Sequence, residues 1–189
     1  MLSLYNLSKK YKNKTILDDI SVDFDSNLII INGVNGSGKS TLIKILTNTI
    51  SKSSGKIKCD GTISYLPSAY NLPKIMFVKD YLLCFIKKEE IDNLMNKYLI
   101  PNKRISELSK GNLQKLILLQ IFCNDTKYYI LDEPLDGLDE FAKELFHDEI
   151  KNKIEENKII IMALHDNKLI EDLNPKIYYM KDGKLYDKA

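Results

Sequence analysis

A glycine-rich loop between an apolar run and a helix-like run constrains this sequence more than any other feature. Residues 28–31 read Leu-Ile-Ile-Ile, residues 33–41 read Gly-Val-Asn-Gly-Ser-Gly-Lys-Ser-Thr, and residues 42–46 read Leu-Ile-Lys-Ile-Leu. Small residues let successive backbone N–H groups point into one concavity, and the helix that follows adds its positive N-terminal end. Within this pattern the lysine can reach terminal phosphates and the next hydroxyl can bind Mg²⁺. We therefore predict a phosphate-binding loop built from Gly33, Asn35, Gly36, Ser37, Gly38, Lys39, Ser40 and Thr41.

Length and composition fit a soluble globular protein with a sizeable core. The chain has 189 residues, 44% hydrophobic and 29% charged, which suggests one domain with a small lobe attached. The net charge of +2 is too mild to indicate a nucleic-acid partner. The N-terminus lacks a basic segment followed by an apolar stretch, and no apolar run approaches a bilayer's thickness, so we expect neither a signal peptide nor a span. Cys59, Cys84 and Cys123 lack metal-ligand spacing, so we expect buried free thiols in a reducing cytosol.

The order of patterns predicts an α/β fold with a mostly parallel sheet. Residues 2–7 and 16–24 indicate a small antiparallel sheet before the loop. Residues 56–66 indicate two short strands around Asp60-Gly61, a favoured hairpin turn, and a second hairpin is expected at Asp182-Gly183. Two helix-like stretches lie within residues 78–98, and we expect a small helical subdomain, approximately residues 69–124, inserted into one domain that spans residues 1–189. Buried strands are predicted at residues 128–131 and 159–164, and an amphipathic helix at residues 141–156.

Two carboxylates follow the apolar run Tyr128-Tyr-Ile-Leu131. If that strand neighbours the loop strand, Asp132 and Glu133 lie at the carboxyl edge of the sheet, where α/β proteins bind ligands. Asp132 can then hold Mg²⁺ together with Ser40. Glu133 can accept a proton from an attacking water. Together with the phosphate loop, Asp132 and Glu133 form a candidate site for nucleotide hydrolysis.

His165 closes another apolar strand, at the same edge if the sheet is parallel. A histidine there can hydrogen-bond a γ-phosphate or orient the water, although a lone histidine is more often structural. The guanine-reading pattern Asn-Lys-x-Asp is absent from the sequence, which leaves ATP as the expected nucleotide.

Two further segments allow both a binding and a structural interpretation. Tyr11, within a basic turn, can stack on an adenine ring or simply cover a hairpin. The segment Leu108-Ser-Lys-Gly-Asn-Leu-Gln114 offers a hydroxyl, a glycine and a helix N-terminus, which together can bind an anion. A second, identical chain could supply that anion as its bound nucleotide, giving an isologous dimer. The alternative is a plain helix that Ser109 caps.

These motifs, in this order, resemble the nucleotide-binding domain of ATP-binding cassette (ABC) ATPases over essentially the whole chain. Tyr11 resembles the aromatic A-loop, residues 33–41 Walker A, and residues 128–133 Walker B with its catalytic glutamate. The segment 108–114 resembles the family signature, with Lys110 where glycine is commonest, and residues 135–139 resemble the D-loop. The resemblance implies an ABC-type P-loop core in which ATP and Mg²⁺ are bound by the residues of these motifs. Beyond the phosphate loop, those residues are Tyr11, Ser109, Lys110, Gly111 and Gln114 for ATP, Asp132 for Mg²⁺, Asp139 in the D-loop, and Glu133 and His165 for catalysis.

The resemblance also implies partners. Family members form a head-to-tail dimer around two ATP molecules and drive an integral membrane transporter subunit, so we expect a homodimer on the cytoplasmic face of the cell membrane. The motifs identify neither the cargo nor the direction of transport. One position departs from the family: Ser68 occupies the expected Q-loop glutamine, and serine is too short to span to Mg²⁺. We also expect no regulatory tail after the last hairpin.

The sequence also allows two other functions. One is a soluble ABC ATPase that acts on DNA or ribosomes, although such proteins usually carry a long insertion or two cassettes. The other is a nucleotide-gated regulatory module with weak hydrolysis, which Ser68 favours and Glu133 with His165 disfavours.

Overall fold

The computed structural model describes residues 1–165 and 168–187, and within them the strands form two sheets. The strands are β1 Leu2–Tyr11, β2 Lys14–Phe24, β3 Leu28–Asn32, β4 Ser54–Cys59, β5 Ile63–Leu66, β6 Tyr128–Asp132, β7 Ile159–Ala163, β8 Lys176–Lys181 and β9 Lys184–Asp187. The helices are α1 Lys39–Leu46, α2 Val78–Leu82, α3 Lys88–Lys97, α4 Lys110–Cys123 and α5 Glu140–Glu155, with short 3₁₀ helices at Ile105–Glu107 and Lys168–Leu173. The element order confirms the predicted α/β class.

The larger sheet brings the carboxyl ends of three strands to one edge. Its order is β5-β6-β7-β3-β8-β9, and its pairs are parallel except for the closing β8–β9 hairpin. Ala163 of β7 is level with Ile31 of β3 on one side and with Asp132 of β6 on the other. β6 is buried along its whole length, as expected for a strand covered on both faces. The phosphate loop and the acidic pair therefore leave the sheet at the same edge.

The smaller sheet is antiparallel, in the order β2-β1-β4, and confirms the predicted N-terminal sheet. Its apolar side chains share one hydrophobic core with the larger sheet and α1. Fully or nearly fully buried members of this core are Leu2, Leu4, Leu7, Leu17, Ile29, Ile31, Leu42, Leu46, Ile130 and Ile161. Burial of each such side chain contributes roughly 1.5–3 kcal/mol, so this core stabilises the strand ends that carry the site.

The predicted hairpin at Asp60-Gly61 is wrong. β4 pairs with β1 in the smaller sheet, whereas β5 pairs with β6 in the larger one, so the chain crosses between sheets here. Neither residue has the positive φ that a tight type I′ hairpin requires. The Asp60 carboxylate instead accepts a hydrogen bond from the Tyr128 hydroxyl at 2.6 Å and pairs with the Lys127 ammonium at 2.8 Å.

The described residues divide into two compact units. The first contains both sheets and α1 and comprises residues 1–68, 126–134 and those from Lys153 onward. The second comprises residues 69–125 and 135–152 and contains α2, α3, α4 and most of α5. α4 is buried on nearly every side, and the second unit's core includes Val78, Leu82, Ile91, Met95, Leu116 and Leu119.

The thiols are placed differently from our expectation. Within the described residues no disulfide joins Cys59, Cys84 or Cys123, but all three are exposed. Cys59 ends β4 and Cys123 ends α4, and both residues are exposed at these ends. Among the described helices, none combines the length and the apolar character that crossing a bilayer requires.

Candidate functional site

The phosphate loop joins β3 to α1 with the backbone geometry that such a loop needs. Gly33, Gly36 and Gly38 all have positive φ, at 153°, 81° and 114°. A Cβ on Gly33 would lie 2.4 Å from the Met180 carbonyl oxygen, so only glycine fits this close approach. α1 has no acidic residue in its first turn, and Gly38 supplies no side-chain cap to it. The N–H groups of that turn are therefore available to an anion.

The Lys39 side chain is folded back into the loop. It is only 5% exposed, and its ammonium donates to the Gly33 carbonyl oxygen at 2.6 Å. The same nitrogen lies 4.0 Å from Glu133 Oε1. The loop thus holds a buried positive charge among backbone carbonyls, within reach of the acidic pair. A phosphate group offers a charged oxygen as a stronger partner for this ammonium.

Ser40 and Asp132 meet at the sheet edge, as the sequence predicted. The Ser40 hydroxyl donates to Asp132 Oδ1 at 3.1 Å, although the two residues are far apart in sequence. Asp132 is 1% exposed, and its Oδ2 atom has no hydrogen-bond partner among the described residues. A buried carboxylate oxygen without a donor is costly unless a cation or water binds it. A hydroxyl beside such a carboxylate is a donor set that suits Mg²⁺, so these residues fit the ion.

Glu133 is held in an uncommon backbone conformation. Its φ is 52°, in the left-handed region, which costs a non-glycine residue roughly 1–2 kcal/mol. The Glu133 amide donates to the Ala163 carbonyl oxygen at 3.1 Å, which anchors this turn to the end of β7. Its side chain turns toward His165, and Glu133 Oε1 lies 3.0 Å from His165 Nε2. The histidine and the glutamate that the sequence placed at one edge are thus in contact.

The remaining loop residues and Tyr11 are accessible to different degrees. Asn35 and Gly36 are exposed, Thr41 is half-buried, and Ser37 is buried with a hydroxyl that has no hydrogen-bond partner among the described residues. Tyr11 ends β1 and is 49% exposed, with the Lys9 ammonium 4.5 Å from its ring centroid. A cation over one face leaves the other face of the ring for stacking. Both interpretations of Tyr11, adenine stacking and hairpin cover, are compatible with this placement.

The signature-like segment lies in the second unit, at the start of α4. Ser109 and Lys110 are exposed there, and Gly111 is partly exposed. The Ser109 hydroxyl accepts a hydrogen bond from the Asn112 amide at 3.2 Å, so Ser109 does cap the helix. Capping accounts for the serine without excluding a further ligand, because a hydroxyl oxygen can accept and donate at once.

Gln114 is placed unlike its neighbours in this segment. It is 6% exposed, and its Oε1 atom accepts a hydrogen bond from the Tyr70 hydroxyl at 2.9 Å. Its side chain is thus engaged inside the second unit instead of facing solvent with Ser109 and Lys110. Ser68, which stands at the expected glutamine position, follows β5 and is exposed.

Asp139 has partners that the sequence did not reveal. Its Oδ1 atom accepts from the Ala142 amide at 2.8 Å, and its Oδ2 atom lies 3.0 Å from the ammonium of the buried Lys115. These two bonds, the backbone one first, lower the pKa of Asp139 from its ordinary value of 3.8. The sequence analysis did not identify Lys115. It is a single lysine within an apolar stretch of α4, and a lysine in a helix is ordinarily expected to be exposed.

A phosphate loop, an acidic pair and a histidine at the carboxyl edge of a parallel sheet define a P-loop nucleoside triphosphatase. The sequence model of the ABC transporter family matches residues 17–136. An uncharacterized ABC transporter ATP-binding protein of Methanocaldococcus jannaschii is 36% identical, over 97% of this chain and 75% of its own length. The chain belongs to the ABC transporter family.

Solved structures show the same fold. An ATP-binding subunit of an ABC transporter superposes with a TM-score of 0.87 at 21% identity, over 100% of this chain and 88% of that one. A dimeric, post-hydrolysis ATP-binding cassette with ADP and phosphate superposes with a TM-score of 0.85 at 19% identity, over 98% of this chain and 96% of that one. The fold is therefore that of the ABC ATPase domain, which the sequence motifs had indicated.

Proposed function

We propose that this chain is the ATP-binding and ATP-hydrolysing subunit of an ABC transporter, a single nucleotide-binding domain over residues 1–189 with a helical subdomain at approximately residues 69–124. One observation carries the proposal: Lys39, the Ser40–Asp132 pair and the Glu133–His165 pair converge at one edge of the parallel sheet. Family membership gives the same function.

Binding is assigned to the loop and to the ends of two strands. The first-turn N–H groups of α1 and the Lys39 ammonium bind the β- and γ-phosphates, with Asn35, Gly36, Ser37 and Thr41 completing the loop. Ser40 and Asp132 would hold Mg²⁺, which neutralises phosphate charge when bound. Tyr11 stacks on the adenine ring. The unsatisfied Asp132 oxygen is the structural support for the metal assignment.

Hydrolysis is assigned to the glutamate and histidine at the sheet edge. Glu133 takes a proton from the attacking water, and its left-handed backbone fixes where the carboxylate points. His165, 3.0 Å away, orients that carboxylate or donates to the γ-phosphate. The Lys39 ammonium, which lies 4.0 Å from Glu133 Oε1, binds the phosphates beside this carboxylate.

The signature-like segment is the part of the chain assigned to binding a second copy. Ser109, Lys110 and Gly111 would cap the ATP held by a second copy of this chain, with Gln114 behind them and Asp139 in the D-loop of the same face. The exposure of Ser109 and Lys110 supports this assignment. The dimer would drive an integral membrane transporter subunit from the cytoplasmic face of the membrane. The mild net charge of +2 gives no support for a nucleic-acid partner.

Glu133→Gln tests the proposal most directly. Without a carboxylate base we expect turnover to fall by roughly 10²–10⁴-fold, while ATP and Mg²⁺ still bind. The variant should therefore accumulate as an ATP-bound dimer, at twice the 21.8 kDa monomer mass, by light scattering after size exclusion. Glu140→Gln is the matched control, because Glu140 is exposed on α5 and should leave turnover and mass unchanged. Turnover by Glu133→Gln at the wild-type rate would refute the assignment of the base.

A nucleotide-gated regulatory module with weak hydrolysis is the second candidate, because Ser68 is exposed at the expected glutamine position. The two functions differ in wild-type behaviour with ATP and Mg²⁺. A transporter ATPase completes many turnovers, which Glu133→Gln abolishes. A regulatory module would stay dimeric with ATP in the wild type and release phosphate in less than one turnover over the same period.

A further inference from the structure

The segment that follows β5 links the sheet edge to the second unit, and it begins with the Ser68 departure. β5 pairs with β6 so that Leu66 is level with Leu131, which places Pro67 and Ser68 at the edge where Asp132 and Glu133 lie. The chain passes from the first unit to the second directly after Ser68. Ser68 is two residues before Tyr70 in the chain.

Tyr70 is the first residue of this segment with a side-chain bond to a helix. Its hydroxyl donates to Gln114 Oε1 at 2.9 Å. Gln114 is 6% exposed, and desolvation raises the pKa of Tyr70, so the hydroxyl keeps its proton and remains a donor. Tyr70 also lines, with Leu113 of α4, a cavity of about 270 Å³ in the second unit.

The helix that receives this bond is α4, which begins with the signature-like residues. Ser109 caps α4, and Gln114 lies little more than one turn further along. Helices move as rigid units over such short lengths, so a force on Gln114 acts on Ser109 and Lys110 as well. Ser68 is thus joined to Tyr70 through two peptide bonds, and Tyr70 is joined by one hydrogen bond to Gln114 in the first half of α4.

We propose that Tyr70 and Gln114 are positioning residues, whose hydrogen bond sets the signature end of α4 relative to the segment leaving the nucleotide edge. This inference rests on the proposed function, because it requires an ATP-driven dimer in which the start of α4 takes part. It also reassigns Gln114 from ATP contact to support of the residues that make that contact.

A second tyrosine on the same helix provides a matched control. The Tyr81 hydroxyl donates to Gln120 Oε1, in the C-terminal half of α4, and Tyr81 is 7% exposed. Tyr70→Phe and Tyr81→Phe each remove one neutral tyrosine–glutamine bond from α4. If both bonds only stabilise the second unit, the two variants should behave alike.

The experiment measures ATP-dependent dimerisation of Tyr70→Phe and Tyr81→Phe in the Glu133→Gln background, with thermal unfolding of each. We expect Tyr70→Phe to raise the ATP concentration for half-dimerisation by about three- to tenfold, as loss of one neutral hydrogen bond implies. Tyr81→Phe should stay within about twofold of the parent while lowering the unfolding midpoint to a similar extent. Equal dimerisation by the two variants overturns the inference.

Two further arms complete the test. Gln114→Met alone and combined with Tyr70→Phe should show non-additive effects on dimerisation, because both changes break the same bond. Additive effects overturn the inference. If Tyr70→Phe folds poorly, Gln114→Met alone tests it, because it breaks the same bond and should raise the ATP concentration for half-dimerisation to a similar extent. If the Glu133→Gln parent itself forms no dimer with ATP and Mg²⁺, the proposed function fails and the inference falls with it, an outcome distinct from a loss confined to Tyr70→Phe.

Discussion

The two oxygens of the Asp139 carboxylate bind different partners. One oxygen accepts from the Ala142 amide in the first turn of α5, and the other pairs with the Lys115 ammonium, whose side chain is 6% exposed. A buried ammonium that loses its counter-ion keeps its desolvation cost without compensation. The face of the Phe141 ring, 5.5 Å from the same ammonium, offers only a weak substitute. Asp139 therefore stabilises the second unit whatever its part in the D-loop.

Asp139→Asn separates these two contributions. Asparagine still caps the helix but no longer neutralises Lys115, so we expect the free energy of unfolding to fall by about 1–2 kcal/mol, discounted because Asp139 is largely exposed. Asp139→Ala should lose about 1 kcal/mol more, because the cap is lost too. Urea unfolding measures both, with Asp136→Asn as the exposed control.

The same variant has a predictable pH dependence. The pKa of Asp139 is lowered in the folded protein from 3.8, so its contribution is present above that value and disappears as pH falls through the folded pKa. The difference between wild type and Asp139→Asn should therefore shrink below about pH 4. A difference that stays constant down to acid pH would show that the carboxylate charge contributes nothing.

Residue types alone were enough to predict part of the site. Lys39, Ser40, Asp132 and Glu133 follow from local motifs at strand ends, and the parallel sheet then brings them together. Lys115 could not be predicted, because its partner is distant in sequence and it sits in an apolar stretch. The Tyr70–Gln114 bond was missed for the same reason: the two residues are distant in sequence, and nothing local marks Gln114 as buried.

Among the elements, two Asp-Gly pairs show the limit of turn patterns. Asp182 and Gly183 have φ of 50° and 75° and join β8 to β9 as the sequence predicted. Asp60-Gly61 is the same dipeptide as Asp182-Gly183, yet the strands on its two sides, β4 and β5, belong to different sheets. The pairing partners β1 and β6 decide this, and they lie before and after the pair in the chain. Strand pairing over long separations overrides a local turn preference.

Gly183→Ala is expected to weaken this closing hairpin. Its φ is positive, and an added Cβ would lie 2.6 Å from the Ile16 carbonyl oxygen, so the backbone must move. A cost of about 1–3 kcal/mol would lower the unfolding midpoint by roughly 3–10 °C for a chain of this length. Asp182→Asn is the control, because asparagine accepts positive φ in such turns. A midpoint for Gly183→Ala equal to that of Asp182→Asn would contradict the steric argument.

For the whole molecule, the proposed sharing of each site between two chains predicts complementation between inactive variants. Lys39→Ala disables the phosphate loop, and Ser109→Arg blocks the signature segment. A mixed dimer of the two keeps one site with both halves intact, so random mixing should restore roughly a quarter of wild-type turnover. Steady-state ATP hydrolysis after co-refolding measures this.

The control mixes Lys39→Ala with Glu133→Gln. Both changes fall in the same half of the site, so every mixed dimer has two defective sites and turnover should stay at background. No recovery in the first mixture would mean that each chain builds its site alone. Recovery in the control would mean that Lys39 and Glu133 of one chain act in different sites.

The strand order has a consequence for how the chain acquires its site during synthesis. β3 and β6 do not pair with each other; β7 lies between them, and it follows both in the chain. A nascent chain that has emerged only through α5 contains the phosphate loop and both acidic residues. It lacks β7, the strand that pairs with both β3 and β6 and so aligns their ends. Because ribosomes release the N-terminal part first, the Ser40–Asp132 contact must wait for β7. Catalytic competence is thus acquired only after β7 has been made.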